Sequence, residues 1–149
     1  MKRLSYNISI NAPKERVWEV LWQDAYYRQW TAPFSDGSHA VSDWKKGSKV
    51  LFLDPKEQGM LSRIDDLIPN EYMSFRHLGE VKDGKEDFTS AFAQECANNE
   101  VYENYTLQSV DGKTNVRVDT DLPEEYVSMM DGLWPKALQQ LKEIAERYE

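Results

Sequence analysis

Apolar and polar positions repeat along this chain with two periods, and the shorter one covers most of it. Leu4, Tyr6, Ile8 and Ile10 alternate with Ser5, Asn7 and Ser9, which is the pattern of a half-buried strand. The longer period takes over from Pro123 to Glu149. There Tyr126, Met130, Leu133, Trp134, Ala137, Leu138, Leu141, Ile144, Ala145 and Tyr148 fall on one helical stripe. Asp121 is the candidate N-cap, Pro123 suits the first turn, and Glu124 and Glu125 suit the positive end of the helix dipole. A helix of about 25 residues runs roughly 37 Å at 1.5 Å per residue, enough to cross a small domain. Pro135 lies inside it and is expected to kink it or remove one hydrogen bond. Such a helix needs an apolar partner, and the strands upstream supply one as a curved antiparallel sheet.

Between these ends the punctuation is regular. Asn11-Ala12-Pro13 opens a helix whose buried face is Val17, Trp18, Val20 and Leu21. Asp24 to Arg28 is a second short helical turn that ends before Trp30, and Thr31 to Ser38 is a loop. Strands are predicted over His39 to Trp44, Ser48 to Leu53, Met60 to Ile68 and Tyr72 to Leu78. Gly79 to Glu100 carries a turn signal at Asp83-Gly84-Lys85, with Phe88 and Phe92 placed four apart for one short helix. Val101 to Val110 and Thr114 to Asp121 form a hairpin around Asp111-Gly112. No repeat or linker interrupts this order, so residues 1–149 read as one domain.

Composition narrows the function classes. The net charge is −8, which argues against nucleic acid or an anionic membrane as partner. No segment approaches the roughly 20 apolar residues of a membrane span, and the N-terminus alternates like a strand rather than a signal peptide. The single cysteine, Cys96, permits no intramolecular disulfide and fits a reducing cytoplasm. His39, His77 and Cys96 have no metal-ligand spacing, and no phosphate loop or nucleophile motif is present. No metal or cofactor is therefore expected. Cys96 beside Asn98 and Asn99 has no neighbouring base to activate it. The sequence does not set an oligomeric state, and a monomer is the default expectation.

The order of elements carries a resemblance. Its residues are Ile10-Asn11-Ala12-Pro13 followed by Val17-Trp18; Gln29-Trp30; Trp44 and Gly47 before a strand; and Ile68-Pro69-Asn70 before Tyr72-Met73-Ser74-Phe75. Tyr105-Thr106-Leu107 with Asp111-Gly112-Lys113-Thr114, and the run from Trp134 to Leu141, complete it. The chain resembles the helix-grip (SRPBCC) superfamily typified by START domains and the birch-pollen allergen. Within it the chain is similar to the bacterial branch related to the activator of the ninety-kilodalton heat-shock protein ATPase. The resemblance implies an α+β fold: a curved antiparallel sheet of about six to seven strands around a long C-terminal helix, with one or two short helices after the first strand. It also implies a cavity between sheet and helix, where many relatives hold apolar or amphipathic small molecules.

Two groups of residues are candidates for such a site. If Met73 and Phe75 face the helix, strand alternation turns His77 inward too, and Val101, Glu103, Tyr105 and Leu107 share a face by the same rule. His77 and Glu103 then either sit solvated at a sheet edge, orient a polar part of a ligand, or act as an acid–base pair. Trp30, Phe34, Phe52, Phe75, Tyr105 and Trp134, with Met60 and Met130, either fill a core or wall a pocket. The favoured expectation is non-covalent binding of a small apolar or amphipathic ligand, with the Phe34 loop and the 79–100 segment as lids. An enzyme resembling polyketide cyclases and dehydratases is one alternative. A co-chaperone or partner-binding module is the other, and it calls for an exposed apolar patch of several hundred Å² on the outer sheet face.

Overall fold

The computed structural model describes residues 1–147. Eight strands form one antiparallel sheet: β1 (Lys2–Ile10), β2 (His39–Ser42), β3 (Lys49–Leu53), β4 (Gly59–Ile68), β5 (Tyr72–Lys82), β6 (Lys85–Asp87), β7 (Tyr102–Val110) and β8 (Lys113–Leu122). Their spatial order is β1-β8-β7-β5-β4-β3-β2, with β6 paired to β5 beyond the end of β7. The helices are α1 (Lys14–Trp22), α2 (Asp24–Trp30), α3 (Ala91–Asn98) and α4 (Val127–Glu146). α4 packs on β1, α1 and α2.

Most of this follows the apolar pattern. Asp83-Gly84 and Asp111-Gly112 take positive φ at both turn residues, the primed geometry that suits the twist of a two-residue hairpin. Trp134, Ala137, Leu138, Leu141, Ile144 and Ala145 form the buried stripe of α4. Arg16 on α1 is buried, and its guanidinium donates to the carbonyl oxygens of Ile144 at 3.2 Å and Ala145 at 3.5 Å. A cation thus sits at the negative end of the α4 dipole and ties α1 to it.

Two register shifts bend the sheet. Leu61 pairs with Gly79 but Ser62 pairs with His77, so Leu78 is an extra residue on β5; Asp65 is the extra residue on β4. At Gly59 a Cβ would lie 1.7 Å from the Phe52 carbonyl oxygen, so only glycine fits where β4 starts against β3.

Several sequence expectations need correction. Asp121 does not cap the long helix. It is the penultimate residue of β8, where its carboxylate accepts from Arg3 at 2.8 and 3.0 Å and from the Tyr102 N–H at 2.9 Å. The chain instead turns through a 3-10 segment at Glu124–Tyr126, with Pro123 before it, and α4 begins at Val127. Tyr126 is exposed rather than part of the buried stripe, and Tyr148 lies outside the described residues. Phe88 is exposed and precedes α3, which is capped by Ser90 accepting from the Ala93 N–H. The eighth strand is β6, a three-residue return that has too few residues to show a period. α2 runs on to Trp30 instead of stopping at Arg28.

Candidate ligand cavity

Between α2, the inner face of the sheet and the start of α4 lies a cavity of about 410 Å³. Its wall is built from several directions at once. α2 contributes Tyr27 and Trp30, one turn apart on its buried face, with Thr31 just after it. Phe34 comes from the following loop and meets Trp134 of α4 edge-to-face, with ring centroids 4.9 Å apart. Phe52 and Met60 come from the paired strands β3 and β4, directly opposite one another. Met130 and Trp134 close the α4 side, and the exposed Tyr126 and Met129 stand where the cavity meets solvent.

Strand alternation brings a polar group inside, as the sequence predicts. On β5, Met73, Phe75 and His77 are all buried on the inner face; on β7, Glu103 and Tyr105 face the same way. His77 Nε2 lies 3.8 Å from Glu103 Oε1, just outside hydrogen-bond range. The other ring nitrogen, Nδ1, is 2.6 Å from the Ser62 hydroxyl, its partner across the β4–β5 pairing. The Tyr105 hydroxyl donates to Glu103 Oε2 at 2.5 Å. Thr120 on β8 stands opposite Glu103 and also lines the cavity.

Burial sets the protonation of this group. Loss of hydration lowers His77 to about 4, against a smaller opposing pull from Asp121, so the imidazole is neutral at pH 7. Burial raises the Glu103 carboxyl above the usual range, and the Tyr105 hydrogen bond only partly offsets this. Tyr105 is itself raised, first by burial and then by Glu103. Cys96 is buried on α3, where loss of hydration pushes the thiol up to about 11 and leaves it inert at neutral pH.

Nine of the ten residues singled out in the sequence converge on this cavity: Trp30, Phe34, Phe52, Met60, His77, Glu103, Tyr105, Met130 and Trp134. Phe75 does not line it. Its ring lies behind the wall, packed edge-to-face on Trp22 at 5.3 Å and on Phe52 at 5.0 Å. Other lining residues escaped the sequence reading, and Tyr27, Thr31 and Glu80 show why. Tyr27 and Thr31 share a helical face with Trp30, visible once α2 is extended. Glu80 is inward only because Leu78 is bulged; unbroken alternation from His77 would turn it outward. The 79–100 segment contributes Glu80 and Phe92 to the wall, the Phe92 ring lying 6.3 Å from that of His77.

The opposite face of the sheet differs in character. On β1, β7 and β8 it carries polar pairs: Arg3 with Asp121, Ser5 and Arg117 with Asp119, Asn7 with Asn115, and Ser74 of β5 with Asn104. The apolar side chains of Leu53, Leu61 and Val81 are buried together with Leu51 and Leu78 around them. No helix among the described residues is long and apolar enough to cross a membrane.

The sequence matches the family described as "Activator of Hsp90 ATPase homolog 1-like protein" over residues 11–146. A comparison with curated proteins gave no match. Among solved structures, DynU16, a protein of the dynemicin biosynthetic locus, superposes with a TM-score of 0.72 at 17% identity. The alignment covers 98% of this chain and 48% of that one, so the chain spans about half of DynU16. The Aha1 dimer from Colwellia psychrerythraea gives a TM-score of 0.71 at 18% identity, covering 98% and 97% of the two chains. CalU16 from Micromonospora echinospora gives 0.64 at 14% identity, covering 94% and 71%. These likenesses bear out the helix-grip fold read from the sequence.

Proposed function

This chain belongs to the activator of Hsp90 ATPase homolog 1-like family, and we propose that it binds a small apolar or amphipathic molecule in the cavity between the sheet and α4. The observation that carries this reading is the cavity itself. Its volume of about 410 Å³ falls in the range of small-molecule sites, and its wall is mostly apolar and rich in aromatic rings, with a few convergent polar groups. Trp30, Phe34, Phe52, Met60, Met130 and Trp134 hold the apolar body of the ligand. Burial of that body supplies the driving force, at about 25 cal/mol per Å² of apolar surface. His77, Glu103 and Tyr105 orient its polar end. The loop around Phe34 and the segment carrying Phe92 act as lids over the ligand.

An enzymatic reading has one observation in its favour: His77 and Glu103 face the same enclosed space. At 3.8 Å they do not touch, so a substrate group between them would have to connect them. DynU16 comes from a biosynthetic locus, which accords with a relative acting on small molecules. Partner binding through the sheet's outer face is the weaker reading. Polar pairs cover much of that face, and Val41, Ile68, Phe88 and Val110 are exposed on three different strands and one loop.

Titration with N-phenyl-1-naphthylamine, a neutral apolar fluorophore, tests the proposal. Saturable uptake of one probe per chain is expected, with sharp loss in a Met130→Trp variant whose larger side chain fills the cavity. Absence of saturable uptake by the folded wild-type protein contradicts it.

A further inference from the structure

The charge inside the cavity is one-sided. Tyrosines apart, its titratable lining residues are His77, Glu80, Glu103 and Asp121, the last with its carboxylate turned to the outer face against Arg3, and among the described residues no lysine or arginine lines it. Asp121 is already engaged by Arg3 and the Tyr102 N–H. The inner pair is less satisfied. Glu103 takes one side-chain hydrogen bond, from Tyr105 to Oε2, and its Oε1 faces His77 Nε2 across a gap of 3.8 Å. His77 makes its one side-chain hydrogen bond through Nδ1, so Nε2, on the cavity wall, has no hydrogen-bond partner among the described residues. Because both atoms border the cavity and Nε2 has no protein hydrogen-bond partner among the described residues, a ligand group entering there can hydrogen-bond to them.

We infer that the cavity's ligand is an amphipathic cation: a ring-like apolar body bearing a protonated amine, seated against Glu103 and the faces of Trp30, Phe52 and Trp134. This inference rests on the proposal that the cavity is a ligand site, and it names the ligand's class. Three physical arguments converge on it. Aromatic faces attract ammonium groups, more strongly where water is excluded. An ammonium donates to a carboxylate through short, charge-assisted hydrogen bonds. A carboxylate or phosphate ligand would instead bring a negative charge beside two glutamates with no lining cation to offset it. Burial disfavours the ionised form of the Glu103 carboxyl. An entering ammonium restores that form, and the displaced proton leaves to solvent. The chain's net charge of −8 also enriches cations near its surface.

Three probes with one apolar body separate the possibilities: 2-naphthylmethylamine, 2-naphthylmethanol and 2-naphthoic acid, titrated calorimetrically at pH 7 into the full chain. The amine is expected to bind at least about tenfold tighter than the alcohol, and the acid more weakly than the alcohol. Glu103→Gln, which keeps the side chain's shape, is expected to bring the amine-to-alcohol ratio to within about threefold. If the alcohol binds as tightly as the amine, or the acid binds tightest, the cation preference is overturned while the ligand-site reading stands. If Glu103→Gln keeps the tenfold ratio, Glu103 is not the group that reads the charge, and the inference fails on that point. If none of the three gives saturable heat, the ligand-site reading itself fails and takes this inference with it.

Discussion

His77 and Glu103 face each other inside the cavity with Nε2 and Oε1 3.8 Å apart, a separation that no group among the described residues closes. Register places them there. Phe75 pairs with Glu103 across β5 and β7, and the His77 N–H donates to the Val101 carbonyl oxygen at 2.8 Å. Two polar side chains are thus carried inward by the same alternation that buries Met73, Phe75, Tyr105 and Leu107.

The first prediction concerns acid stability. His77 is held near 4 in the folded chain by burial, whereas an exposed imidazole titrates near 6.5. Between those values the unfolded state binds the proton and the folded state does not. Stability therefore falls as pH drops from about 6.5 to about 4, by on the order of 3 kcal/mol from this residue. The raised Glu103 carboxyl acts in the opposite sense, favouring the folded state as it protonates. Urea melts across this range, compared with His77→Ala, isolate the histidine contribution. The variant is expected to lose that part of the pH slope; an unchanged slope contradicts the buried neutral imidazole.

Tyr105→Phe removes the hydroxyl that donates to Glu103 Oε2 at 2.5 Å. The carboxylate then loses its side-chain donor, so the Glu103 carboxyl is expected to titrate still higher, with a stability loss of about 1–2 kcal/mol at neutral pH. Carbon-detected NMR of the glutamate carboxyl reads the first effect directly. A carboxyl that titrates as in the wild type shows that the hydroxyl does not support the ionised form.

Trp134→Ala is expected to cost about 3 kcal/mol, the lower end for a buried tryptophan. The ring is 4% exposed, stacks on Tyr6 at 5.8 Å and meets Phe34 at 4.9 Å, but part of it borders the cavity, where it has fewer packed neighbours to lose than a residue in a filled core. Equilibrium urea unfolding measures this, and a loss above about 5 kcal/mol would place the side chain in a filled core instead.

Gly59→Ala forces a methyl group into the Phe52 carbonyl oxygen, 1.7 Å from the ideal Cβ position. Backbone must move on one of two paired strands, and both carry cavity residues. A stability loss of at least about 2 kcal/mol is expected, together with weakened probe uptake, because Phe52 and Met60 shift with the strands. Wild-type stability in a thermal melt would contradict this packing.

How far the sequence reveals the site depends on how local each signal is. Alternation alone puts His77 and Glu103 on one face, because both strands run regularly from their buried neighbours. The helical stripe from Trp134 to Ala145 is equally plain. Glu80 is hidden because the extra residue at Leu78 reverses the alternation, and a bulge leaves little trace in a single sequence. Asp121 looks like a helix cap, since an acidic residue before proline and two glutamates is typical of one. Its partner Arg3 lies 118 residues away, and only the β1–β8 pairing brings them together. Phe75 has the character of a wall residue, but the position of Trp22 turns it into the layer behind. Cavity volume is the least legible feature, because it depends on how every side chain packs at once.

Native mass spectrometry of freshly purified protein, followed by denaturation and analysis of what is released, tests the central claim most directly. The account predicts a stoichiometric small molecule with an apolar body, bound one per chain and absent from the Met130→Trp variant. A folded wild-type chain that carries no small molecule and takes none up from a hydrophobic extract would contradict it.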